Sequence, residues 1–136
     1  MADMYFVKEP NNVVSGSMIA AGLGGVLHLG KLSVLYQGQD EQLAKEIAKN
    51  LKQSVLSTYN FDTERGFVNV QHAHYRDGKC GMAHSRGLSA ENPMQSLLER
   101  LITDTTRRES LAEVFEEFTH EEVVYLNSLK QRREAA

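Results

Sequence analysis

Apolar residues are distributed along this chain in two different patterns. The first third carries short bursts of strand length: Met4-Tyr5-Phe6-Val7, Met18-Ile19-Ala20-Ala21, Val26-Leu27-His28-Leu29 and Leu32-Ser33-Val34-Leu35-Tyr36. Pro10-Asn11-Asn12, Gly22-Leu23-Gly24-Gly25 and Gly30-Lys31 separate them with residues that favour turns. Val13 and Val14 read as the start of a further strand. The pattern predicts an antiparallel meander of three or four strands. The Gly22–Gly25 run invites a phosphate-loop reading, but such loops need a helix after them, and here another strand-like burst follows.

The period changes after Asp40. Leu43, Ile47, Leu51 and Val55 are spaced four apart, Ala44 and Ala48 lie beside them, and Lys45, Glu46, Lys49 and Lys52 fall off that line. One apolar stripe on a solvated helix is expected from Asp40 to about Thr58, covering one face of the sheet. Tyr59-Asn60-Phe61-Asp62 reads as the break after it.

Residues 66 to 86 alternate and turn at Arg76-Asp77-Gly78-Lys79, the signature of a hairpin. Two registers compete. A three-residue loop ending in a left-handed Gly sets His74 against Cys80, His72 against Met82 and Val70 against His84, so that His72, His74, Cys80, Met82 and His84 share one face. A two-residue loop at Asp77-Gly78 separates the two histidines from Cys80 and His84. The three-residue loop is the expected one.

From Asn92 the pattern is helical in three pieces. Asn92-Pro93-Met94-Gln95, Thr106-Arg107-Arg108-Glu109 and Thr119-His120-Glu121-Glu122 each resemble a capping start. Behind them lie the stripes Met94/Leu97/Leu98/Leu101, Leu111/Val114/Phe115/Phe118 and Val123/Leu126/Leu129. Residues from Gln131 onward are polar and are expected to fray. The fold class is therefore α+β: an N-terminal antiparallel sheet of meander plus hairpin, one covering helix, and a C-terminal helical segment. A single domain over 1–136 is expected, with sheet and covering helix in 1–88 and the helical part in 89–136.

Composition narrows the function classes. One cysteine in 136 residues allows no internal disulfide, and no signal peptide is evident, which points to a cytoplasmic protein. Residues 13 to 36 carry only His28 and Lys31 as ionisable groups, but their five glycines favour sheet over a membrane span. The net charge of −3 argues against a generally basic nucleic-acid binder. Charge is nevertheless uneven: Arg65, Arg76, Lys79 and Arg86 against Asp77 make residues 65–87 net +3, whereas residues 88–136 are net −4.

The hairpin is thus the candidate functional surface. His72, His74, Arg76, Lys79, His84 and Arg86 are the candidate ligand-binding residues, and mild acidification would add histidine charge to them. His72, His74, Cys80 and His84 are a candidate zinc set if they share a face. Histidines beside Arg and Lys also suit acid–base work on a phosphodiester. No serine has a nucleophile-elbow context, and no catalytic residue is assigned. The expectation is a non-catalytic, inhibitor- or adaptor-like binding protein of the kind carried by phages and mobile elements. It would need no cofactor and would bind another protein or a small anionic ligand, and exposed strand edges suggest a homo-oligomer. The alternative is a small phosphodiesterase, nuclease or metal enzyme on the same hairpin.

Overall fold

The computed structural model describes residues 4–10, 17–19, 26–28, 32–62, 64–105 and 118–135. Of residues 17–19, 26–28, 84, 100–105 and 130–135 only the backbone is described. The fold is α+β. Its strands are β1 (Met4–Pro10), β2 (Ser17–Ile19), β3 (Val26–His28), β4 (Leu32–Gly38), β5 (Gln53–Asp62), β6 (Phe67–Arg76) and β7 (Lys79–Ser89). Its described helices are α1 (Glu41–Asn50), α2 (Pro93–Thr105) and α3 (His120–Ala135). No described helix is long and apolar enough to cross a membrane.

The chain divides into two compact units. One comprises Met1–Pro10 with Ser33–Gly87, and the other Asn11–Leu32 with Leu88–Ala136. Residues 11–32 group with the C-terminal residues rather than with the sheet.

In the first unit β4, β1, β5, β6 and β7 form a five-stranded sheet in that order. A simple meander is not what forms: β1 lies between β4 and β5, while β2 and β3 pair separately, Ser17 opposite His28. β1 and β5 are antiparallel, with Met4 opposite Tyr59 and Lys8 opposite Val55. β5 and β6 are antiparallel over their whole length, from Gln53 opposite Arg76 to Asp62 opposite Phe67.

α1 covers one face of this sheet. Asp40 caps it, accepting from the Leu43 amide at 3.1 Å. The Tyr36 hydroxyl accepts from the Asp40 amide at 3.1 Å. That path crosses Gly38, where an added Cβ would displace the tip of the Tyr36 side chain and with it this hydrogen bond. The helix ends at Asn50, Leu51 turns extended, and the Ser54 hydroxyl donates to the Ala48 carbonyl at 2.9 Å. The expected helix to Thr58 is therefore corrected: β5 starts at Gln53, and Val55 lies in a strand. The apolar stripe is corrected as well. Ala44 and Ala48 are fully buried among Tyr5, Val7, Leu56 and Tyr75, with Ile47 and Leu51 at the margin, while Leu43 is 40% exposed. Small residues let the helix backbone approach the sheet closely.

The opposite face carries Phe6, Ser57, Tyr59, Val70 and His72, all fully buried. Phe6 and Tyr59 pack edge to face with centroids 5.4 Å apart.

In the second unit both described helices start as the sequence predicts. The Asn92 side chain accepts from the Gln95 amide at 3.2 Å and Pro93 opens α2. Thr119 and Glu122 form a reciprocal capping box: the Glu122 amide donates to Thr119 Oγ1, and the Thr119 amide donates to Glu122 Oε1. Met94, Leu97, Leu98, Phe118, Val123, Leu126 and Leu129 are buried, and α2 contacts α3. α3 runs to Ala135. Val13, Val14, the Gly22–Gly25 turn and the stripe Leu111, Val114 and Phe115 lie outside the described residues.

Candidate functional site

The β6–β7 hairpin closes with two residues. Asp77 has φ of 52° and Gly78 of 84°, β6 ends at Arg76 and β7 starts at Lys79. Two consecutive positive φ angles define a type I′ turn, which Asp-Gly favours. The three-residue loop expected from sequence is therefore replaced by the alternative register. Counted back from the turn, Tyr75 stands opposite Cys80 and His74 opposite Gly81.

This register separates the proposed set. Ala73 and Tyr75 pack towards α1, so His72, His74 and Arg76 face the other way. Cys80 has the facing of Tyr75 and lies apart from the two histidines. His84 is in β7, and its side chain lies outside the described residues. Among the described residues no group of three or more His, Cys, Asp or Glu side chains is placed to hold a metal.

His72 is a core residue rather than a surface ligand. It is fully buried, and its Nδ1 lies 2.7 Å from the Ser57 hydroxyl, also fully buried, directly across the strand pair. His74 and Arg86 are half-buried. Lys8 is fully buried on the same face as His74, on the row Lys8–Val55–His74.

Arg76 and Lys79 are exposed, and the tertiary structure brings two further cations to them. The Asp77 amide donates to the Lys52 carbonyl at 3.0 Å, continuing the β5–β6 register by one residue. A Cβ built on Gly78 would lie 3.5 Å from the Lys49 carbonyl. The hairpin tip therefore abuts the end of α1, where Lys49 and Lys52 are exposed. Lys49, Lys52, Arg76 and Lys79 are thus backbone neighbours at one end of the sheet, with Arg76 on the face away from α1, and the turn between them carries one carboxylate, Asp77. Strands in a sheet lie about 4.8 Å apart, so this edge spans roughly 10 Å from β5 to β7. Among the described residues none of these four side chains makes an ion pair or hydrogen bond.

Sequence reasoning missed Lys49 and Lys52. It placed them on the solvated side of a helix about twice as long, and did not bring the end of α1 against the hairpin turn.

The start of α1 shows the opposite situation. An open hollow of about 530 Å³ is lined by Tyr5, Gln39, Asp40, Glu41, Gln42 and Lys45. Both its carboxylates are already engaged: Asp40 caps the helix, and Glu41 accepts from Lys45 at 2.8 Å and from the Tyr5 hydroxyl at 3.1 Å. The Lys45 hydrogen bond, then that of Tyr5, holds the Glu41 carboxyl below its ordinary value. Glu41 in turn raises Lys45 above its own. These contacts fix the helix start and leave little charge for a ligand.

No protein-family model matches the chain, and neither a curated protein nor a solved structure is similar to it.

Proposed function

We propose that the protein is a non-catalytic binding protein, inhibitor- or adaptor-like, that engages an anionic partner or ligand through the edge formed by Lys49, Lys52, Arg76 and Lys79. The observation that carries this reading is the convergence of four exposed cations, unpaired among the described residues, on one tied-down turn. The rest of the chain is acidic enough to give a net charge of −3. Such an edge attracts anions over about a Debye length, roughly 8 Å at physiological ionic strength. The position of His72, buried against Ser57, weighs against the alternative of a histidine-dependent phosphodiesterase.

β7 ends the sheet order, and Lys79–Ala83 are exposed along it, which supports self-association as part of the same reading. Light scattering on the purified chain tests that part.

For the edge itself, the test is the variant Arg76→Ala/Lys79→Ala, compared with the parent for binding to fluorescent polyanions. We expect binding to weaken at least about tenfold, the effect of losing roughly 1.4 kcal/mol, with an unchanged melting curve. Equal binding by both proteins at low and high salt would remove the edge from consideration.

A further inference from the structure

The reading above leaves the chemistry of the anion open. Resting on it, we infer that the Lys49/Lys52/Arg76/Lys79 edge takes the phosphodiester backbone of a nucleic-acid strand and does not read its bases.

Three observations lead there. The first is extent. The cations come from the end of α1, the residue before β5, the end of β6 and the start of β7, so they are spread across the end of the sheet rather than held on one element. A single small anion reaches two or three neighbouring donors. A spread of about 10 Å, at strand spacing, suits an anion whose charge repeats along a chain.

The second is residue type. Three of the four cations are lysines, and the side chains of the turn and its flanks include no exposed aromatic residue. Protein–protein interfaces favour Tyr, Trp, Phe, Met and Arg and are poor in Lys. Contacts to phosphate oxygens are made by Lys and Arg and carry no sequence information. This composition favours a polyphosphate over an acidic protein.

The third is shape. β5 pairs with β6 up to Gln53 opposite Arg76, and Lys52 continues that pairing to Asp77. The hairpin therefore ends flush with its neighbour and does not project as a free two-stranded ribbon of the kind that enters a major groove. A flush cationic edge rests against a sugar–phosphate backbone. The turn offers Asp77 and Gly78 in place of groups suited to base edges.

The charge count sets the expected strength. Neutralising about four phosphates on a single strand gives a slope of log K against log salt of roughly −3, and removing two cations should bring it to roughly −1.5. The experiment is fluorescence anisotropy of the full-length chain with a labelled oligothymidylate of about 20 nucleotides, titrated between roughly 50 and 200 mM salt. Arg76→Ala/Lys79→Ala and Lys49→Ala/Lys52→Ala are measured alongside, with melting curves for each, and poly-glutamate serves as competitor. The inference predicts that both double variants stay folded and halve the slope, and that poly-glutamate competes poorly at equal charge. Slopes unchanged in both folded variants would overturn it. Poly-glutamate binding at this edge as well as or better than the oligonucleotide would also overturn it, while leaving the anion-binding edge itself in place. Binding of neither polyanion would dismiss both readings.

Discussion

At the scale of single residues the turn and the buried polar pair carry the sharpest expectations. Gly78 has φ of 84°, and the nearest atom to an added Cβ is at ordinary contact distance, so the penalty of a side chain there is one of backbone strain. An L-residue in the left-handed region costs about 1–2 kcal/mol, and a β-branched one more. Gly78→Val should therefore lower the urea midpoint clearly, and a midpoint within error of the parent would mean that the turn is not the one described. Ser57→Ala leaves His72 Nδ1 without its 2.7 Å partner in the core. The expected loss is about 1–3 kcal/mol, read from denaturant unfolding. Neither the pair nor the turn was fully legible in the sequence. Asp77-Gly78 announces a hairpin, but both loop lengths accept those residues, and the choice rests on Asp77 adopting positive φ. A slip of one residue exchanges the faces of β7, so the histidine–cysteine cluster depended on a decision that local chemistry leaves nearly balanced. Ser57 gave no local signal, because its partner is fifteen positions away.

Among the elements, α1 separates pattern from packing. Leucine at Leu43 suggests a buried anchor, yet it is 40% exposed, and the contact is made by Ala44 and Ala48. Leu43→Ala should cost about half a kilocalorie per mole or less, as surface substitutions do. Ala48→Leu should cost about 1–3 kcal/mol by forcing helix and sheet apart. Reversed magnitudes in a melt would place the helix on its other face. Acid should weaken the same element. A carboxyl held below its ordinary value contributes stability that is present at neutral pH, and that contribution is lost as pH falls through the lowered value. For Glu41 that window lies below 4.5, and Glu41→Gln should flatten the acid limb of the stability curve. The boundary between α1 and β5 was misread because Val55 continues the four-residue spacing from Leu51. A strand buried on both faces, as Ser54 to Ser57 are, shows no alternation to distinguish it from helix. The helix starts were legible because a cap is local. Thr119→Ala should cost about 1 kcal/mol through loss of its bond to the Glu122 amide.

For the molecule as a whole, the α+β class was readable from the change in hydrophobic period. The sheet order was not, because the partners of β1 are set by contacts between residues far apart in the chain, such as Met4 with Tyr59. The proposed edge was half legible for the same reason: Arg76 and Lys79 are neighbours of the turn, whereas Lys49 and Lys52 reach it through the fold. The interior position of β1 has a consequence for synthesis. About 40 residues separate the end of β1 from the start of β5, a delay of roughly 2–8 s at ordinary elongation rates. For those seconds Tyr5, Phe6 and Val7, all buried in the finished sheet, have no β5 to pair with. A nascent chain paused by rare codons within residues 39–52 should hold that apolar strand open for longer, and the price would appear as aggregation during expression while refolding of the full-length chain is unaffected.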